Sequence, residues 1–196
     1  MRLAPSKPDR FVVECVLQAL RKRQMHRPPE SLPPAQIGGW HRIYVRAAAP
    51  ADMEGAVWTR VAPTDWACLL VVEGKATGRI RIAADDESRS SAIISIEPGP
   101  NVDHWIAATT WIDQHAPGAQ EPVFEPGLLE VPDSLSSAVL LIPAEPGSVQ
   151  MQCMPLYQNG RKQPPRKPGP LGHFLSNCDE VLVRRGRRVN RSVQRR

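Results

Sequence analysis

Residues 75–98 read KATGRIRIAADDESRSSAIISIEP, and the reading of this stretch decides the fold class. Within 77–83, Ile80 and Ile82 alternate with Arg79 and Arg81. That two-residue period belongs to a strand with one dry face and one wet face. Asp85-Asp86-Glu87 forms an acidic turn, which leads to a second β-prone run over 91–97. The same texture continues outward in both directions. In 41–47, Ile43 and Val45 alternate with Arg42, Tyr44 and Arg46. Residues 57–61 are a further candidate, and 68–72 are apolar throughout, as a strand buried on both faces should be. Towards the C-terminus, 105–112, 127–131, 137–142 and 149–154 read as strands, and 179–183 as a last one. Pro-Gly pairs at 98–99, 117–118, 126–127 and 146–147 supply sharp corners. Short strands at this density, with no helical stretch between them, predict an all-β chain. The expected architecture is an antiparallel, jelly-roll-like β-sandwich rather than a set of βαβ units.

The flanks differ from this body. Ser6-Lys7-Pro8-Asp9 fits a capping box with proline in the first turn. Val12, Val13, Val16, Leu17 and Leu20 follow at helical spacing, which predicts one amphipathic N-terminal helix. Pro28-Pro29 and Pro33-Pro34 then impose an extended linker. Residues 159–172 read as a second solvated linker, rich in proline, basic and amide side chains. Three regions result: a basic helix and linker over 1–36, the β body over 37–158, and a basic linker and tail over 159–196.

Charge is segregated along these regions. Residues 1–36 hold 7 basic and 3 acidic groups, 37–158 hold 7 and 15, and 159–196 hold 11 and 2. The partial sums, +4, −8 and +9, recover the net +5 of the whole chain. An acidic body thus stands between two basic ends. Residues 184–196 carry seven arginines and no acid: Arg184, Arg185, Arg187, Arg188, Arg191, Arg195 and Arg196. Such a tail has no apolar content from which to build a core, so it is expected to stay disordered until it meets a partner. Arginine clusters bind phosphate by releasing counterions. The tail arginines, with Arg21, Lys22 and Arg23 after the helix, are therefore the candidate nucleic-acid contacts. Arg42, Arg46, Arg79 and Arg81 would form a second basic surface if they shared a sheet face, as an oligonucleotide-binding barrel requires.

Other chemistry is poorly served. The four cysteines, at 15, 68, 153 and 178, have no CxxC or Cys/His pairing, which excludes a standard zinc module and a dense disulfide framework. Cys68 and Cys153 read as packed thiols in a reducing compartment. Asp103, His104, Asp113 and His115 lack metal-ligand spacing, and Asp85-Asp86-Glu87 reads as a turn rather than a calcium clamp. GxSxG, P-loop and HExxH motifs are missing, so no catalytic residue, cofactor or metal is expected. No apolar run reaches the roughly 20 residues that span a bilayer. Residues 11–20 are followed by Arg21-Lys22-Arg23 rather than a cleavage site, which argues against a secretory leader.

In size, strand density and charge partition the chain resembles the coat proteins of small non-enveloped RNA viruses, of the sobemovirus-like and barnavirus-like groups. That resemblance implies a structural coat protein in a virion, which self-assembles as a homo-oligomer and packages single-stranded RNA. The stronger basic arm lies at the C-terminus here, whereas those families mostly carry theirs at the N-terminus. The alternative expectation is an RNA-binding accessory protein, of ribosomal or viral suppressor or movement type, acting in the host cytoplasm or nucleus. A third is an interaction module whose tail is only a targeting signal.

Overall fold

The computed structural model describes residues 2–4, 6–25, 36–46, 61–98, 100–115, 122–145 and 150–181. Ten strands and three helices are described. In chain order they are β1 (Arg2–Leu3), α1 (Arg10–Met25), β2 (Gln36–Arg46), β3 (Val61–Val72), β4 (Lys75–Asp85), β5 (Ser90–Pro98), α2 (Pro100–Gln114), β6 (Val123–Val131), β7 (Ser136–Pro143), β8 (Gln152–Gln158), β9 (Arg161–Lys162), β10 (Gly169–Pro170) and α3 (171–181). A 3-10 turn, Pro132–Ser134, joins β6 to β7.

Among the described residues all ten strands belong to one sheet, with the order β10-β8-β7-β6-β2-β3-β4-β5. β1 pairs with the start of β6, and β9 with the end of β8. Neighbours are antiparallel except where β1 and β2 run parallel to β6. The described residues therefore show the β-rich body that was expected, but not the two packed sheets of a jelly-roll sandwich. Among the described residues the apolar faces of this sheet are covered by helices.

Alternation along the strands assigns the faces. On β6 and β7, Phe124, Leu128, Val139 and Leu141 pack with Trp105, Ala108 and Ile112 of α2. The alternate residues Leu129, Val131, Ala138 and Leu140 pack with Leu171, Phe174, Leu175 and Cys178 of α3. Val12 and Val16 of α1 pack on Trp66, Cys68, Ile80 and Ile82 of β3 and β4. Arg42 stacks over Trp66, its register partner on β3. Tyr44, two residues along β2 from Arg42, packs with the α3 cluster. So α1 and α3 share one face and α2 takes the other.

A repeated plan follows from this arrangement. A helix precedes the antiparallel run β2-β3-β4-β5, and another precedes β6-β7-β8. The two runs meet through the parallel pair β2/β6, and their leading helices lie on opposite faces. The two halves thus share one order of elements, a helix followed by an antiparallel run.

Two of the expected strands are helices. Residues 105–112 lie in α2, where the buried residues Val102, Trp105, Ala108 and Ile112 recur every three or four positions. Pro100 opens that helix, where a missing N–H costs nothing. The aromatic and β-branched residues that favour a strand here are overridden by packing against the sheet. Residues 179–181 lie in α3, whose buried Leu171, Phe174, Leu175 and Cys178 also follow helical spacing. The linker expected over 159–172 is partly ordered. Asn159 and Gly160 have φ of 56° and 75°, as a tight hairpin demands, and they turn β8 into β9. The strand expected over 57–61 lies outside the described residues except for Val61. No helix among the described residues is long and apolar enough to cross a membrane.

Candidate nucleic-acid interface

Arg42, Arg46, Arg79 and Arg81 do not share a face. Arg42 and Arg46 of β2 point to the α1/α3 face, and Arg79 and Arg81 of β4 to the α2 face. Each carries an intramolecular partner. Arg42 stacks 4.1 Å above Trp66, with Asp86 3.5 Å away. Arg46 donates to the Leu175 carbonyl at 3.3 Å and pairs with Asp179 of α3 at 2.8 Å. Arg81 Nη2 lies 2.6 Å from Asp65 and its Nη1 lies 3.0 Å from Glu130. Arg79 is bound tightly to Glu97 and lies 3.7 Å from Glu130. On the α2 face, then, two guanidiniums meet three carboxylates in a closed network. That geometry joins β3, β4, β5 and β6, and it leaves no cationic surface for a phosphate backbone. The barrel-type basic face expected from the sequence is corrected accordingly.

His41 borders this network. It is buried and stacks on Trp105 of α2, with ring centroids 4.1 Å apart. Burial, and secondarily the Arg79 charge, pushes its pKa down to about 3, so the ring is neutral at ordinary pH. Its Nε2 has no hydrogen-bond partner. The other histidine and aspartate candidates are separated. Asp103 and His104 sit at the start of α2, Asp113 and His115 at its end, roughly 15 Å apart along the axis. Asp85 caps its own turn. Its carboxylate accepts from the Ser88 hydroxyl at 2.6 Å and the Glu87 N–H at 3.0 Å, and these bonds hold its pKa below the usual range. Among the described residues no three His, Cys, Asp or Glu side chains converge as metal ligands.

Uncompensated positive charge lies at the other end of the sheet. Arg161 and Lys162 of β9, with Arg166 and Lys167 beyond it, are exposed. Among the described residues none of the four has a carboxylate within ion-pair distance. Pro164, Pro165 and Pro168 favour an extended path for this stretch. β10 then pairs with β8 at Gly169 and Pro170, which fixes where α3 begins.

Between β8, this segment and α3 lies a cavity of about 300 Å³. Its lining includes the cations Arg166 and Lys167, the imidazole of His173, the amides of Gln158 and Asn177, and the apolar surfaces of Phe174, Pro155 and Pro170. No acid is among them. Cys153 lies at its base, where burial pushes the thiol up to about 12, with Cys178 adding to the shift and the Arg166 charge opposing it. That thiol is a packed group, not a nucleophile.

The expected contacts at 184, 185, 187, 188, 191, 195 and 196 lie outside the described residues. Arg21 and Lys22 are exposed on α1, and the side chain of Arg23 lies outside the described set. α1 packs over β3 and β4, four and five strand spacings from β8, or about 19–24 Å along the sheet. The structure therefore does not bring Arg21 and Lys22 to the cavity. Arg166 and Lys167 were missed as site residues because 159–172 read as solvated linker, and His173 and Asn177 because 173–178 were assigned to no element. The Asn159-Gly160 turn and the helical recurrence of Leu171, Phe174, Leu175 and Cys178 are the signals that reveal them.

These features define a β-rich protein with helices on both sheet faces and a cationic cleft at one end. Comparison with known proteins adds no family: no family model, no curated protein and no solved structure matches the chain.

Proposed function

We propose that this chain is an RNA-binding protein that grips single-stranded RNA through the basic surface built from β9, the 163–168 segment and the start of α3. One observation carries this reading. Arg42, Arg46, Arg79 and Arg81 are consumed by internal partners, whereas Arg161, Lys162, Arg166 and Lys167 are clustered, exposed and with no acid in ion-pair reach among the described residues. The seven tail arginines follow this surface in the chain and extend its charge. The acidic body repels a polyanion elsewhere and so orients it. The protein is a binder rather than a catalyst, and of the expected classes the accessory type suits it best.

The test is fluorescence anisotropy with a single-stranded RNA across a salt series, comparing the full chain with one ending at residue 183. Eleven phosphate contacts give a slope of log K against log salt near −8, and the four outside the tail about −3. Absence of binding at low salt would refute the reading.

A self-assembling, RNA-packaging coat protein is the second reading, and one observation favours it. β5 closes the sheet as an edge strand, and its Ile94 and Ile96 are 54% and 42% exposed. An edge of this kind accepts another strand. Sedimentation and electron microscopy of the RNA-loaded chain separate the two readings, because only the second yields closed shells.

A further inference from the structure

Resting on the RNA-binding reading, we infer that the cavity between β8, β10 and α3 takes one unpaired nucleotide of the bound strand, base inward and phosphate at the mouth. Its volume of about 300 Å³ stands at the lower limit of small-molecule pockets, roughly 300 Å³. That space suits a mononucleotide and excludes a duplex. Its lining is divided in the way a nucleotide is divided. Phe174, Pro155 and Pro170 supply apolar surface for a base, Gln158 and Asn177 supply donors and acceptors for a base edge, and Arg166 and Lys167 supply charge for phosphate. A free inorganic anion would make no use of the apolar wall. A purely apolar ligand would make none of the cations.

The site is also ready to bind. Among the described residues the side chains of Gln158, Asn177, Arg166 and Lys167 have no hydrogen-bond or ion-pair partner, so a ligand displaces no protein contact. The walls are fixed by the β10/β8 pairing and by the burial of Leu171, Leu175 and Cys178. Little ordering cost then falls on binding. Tail arginines act on any phosphate chain, whereas this cavity distinguishes one base from another.

The test uses the full chain at low salt with AMP, GMP, CMP and UMP, and inorganic phosphate as the reference, followed by amide NMR shifts and calorimetry. At least one nucleotide should bind saturably, about tenfold or more tighter than phosphate, and shift amides within 153–177 rather than those of α1. The double variant R166Q/K167Q should weaken every nucleotide about tenfold, and Asn177→Ala should narrow the differences among bases. Unchanged thermal unfolding of these variants shows that they remain folded, and the NMR map of the unaltered chain stands independently of them. Equal affinity for phosphate and all four nucleotides would overturn the inference. Nucleotides that fail to bind while RNA still does would overturn it and leave the RNA-binding reading intact. Failure of both RNA and nucleotides would remove both.

Discussion

Replacing His41 by phenylalanine should make this protein markedly more tolerant of acid. The imidazole is fully enclosed, stacked on Trp105 and beside Arg79, and its pKa is pushed down to about 3. In the unfolded chain a histidine titrates near 6.5. Between those two values the unfolded state binds a proton that the native state refuses. Stability from this residue is therefore complete above about pH 6.5 and falls as pH drops towards 3. At about 1.36 kcal/mol per pH unit, acidification from pH 6.5 to 4 costs about 3 kcal/mol through His41 alone. Phenylalanine keeps a flat ring against Trp105, carries no proton and removes the unpartnered Nε2. Urea unfolding of wild type and His41→Phe at pH 7 and pH 4 measures the difference. We expect similar stability at pH 7 and a gap of about 3 kcal/mol at pH 4 in favour of the variant. Equal acid losses in the two proteins would refute the argument that burial keeps this imidazole neutral.

Other outcomes follow from the same contacts. Gly127→Ala places a Cβ 2.7 Å from Tyr44 Cε2, and should cost about 1–3 kcal/mol in a thermal melt. Leu140→Ala, fully buried between the sheet and α3, should cost about 2–5 kcal/mol through the cavity it leaves. In the native protein a thiol reagent should modify half-buried Cys15 well before Cys68 and Cys153, whose thiols burial pushes up to about 12; mass spectrometry of the labelled peptides reads the order. Shortening the chain by residues 184–196 should reduce the salt slope of RNA binding by about 5, the contribution of seven arginines.

The strands of the first half were legible because their periodicity is local. Ile80 and Ile82 are buried on the face opposite Arg79 and Arg81, as alternation required. The helical spacing of Val12 and Val16 likewise coincides with the side of α1 that is buried. What the sequence hid was arrangement. Val102, Trp105, Ala108 and Ile112 keep helical spacing, but tryptophan, isoleucine and threonine between them carry β preference, and only packing on β6 to β8 decides the contest. The relation between the halves leaves no repeated sequence, because the two meanders share backbone topology and not side chains. Charge sums located the basic end but not its structure. They also could not foresee that Arg42, Arg46, Arg79 and Arg81 divide between two faces. Partners such as Glu130 on β6 lie 49 positions from Arg81 in the chain. Sequence proximity says nothing about such pairs.

The most direct trial of the central claim is to map where RNA touches the protein. A single-stranded RNA carrying 4-thiouridine is bound to the full chain at low salt, photo-crosslinked, and the attached peptides are identified by mass spectrometry. We expect crosslinks concentrated in peptides covering residues 153–177 and in the tail beyond residue 183. Crosslinks confined to α1 and β3–β5, with none near Arg166 and Lys167, would contradict it.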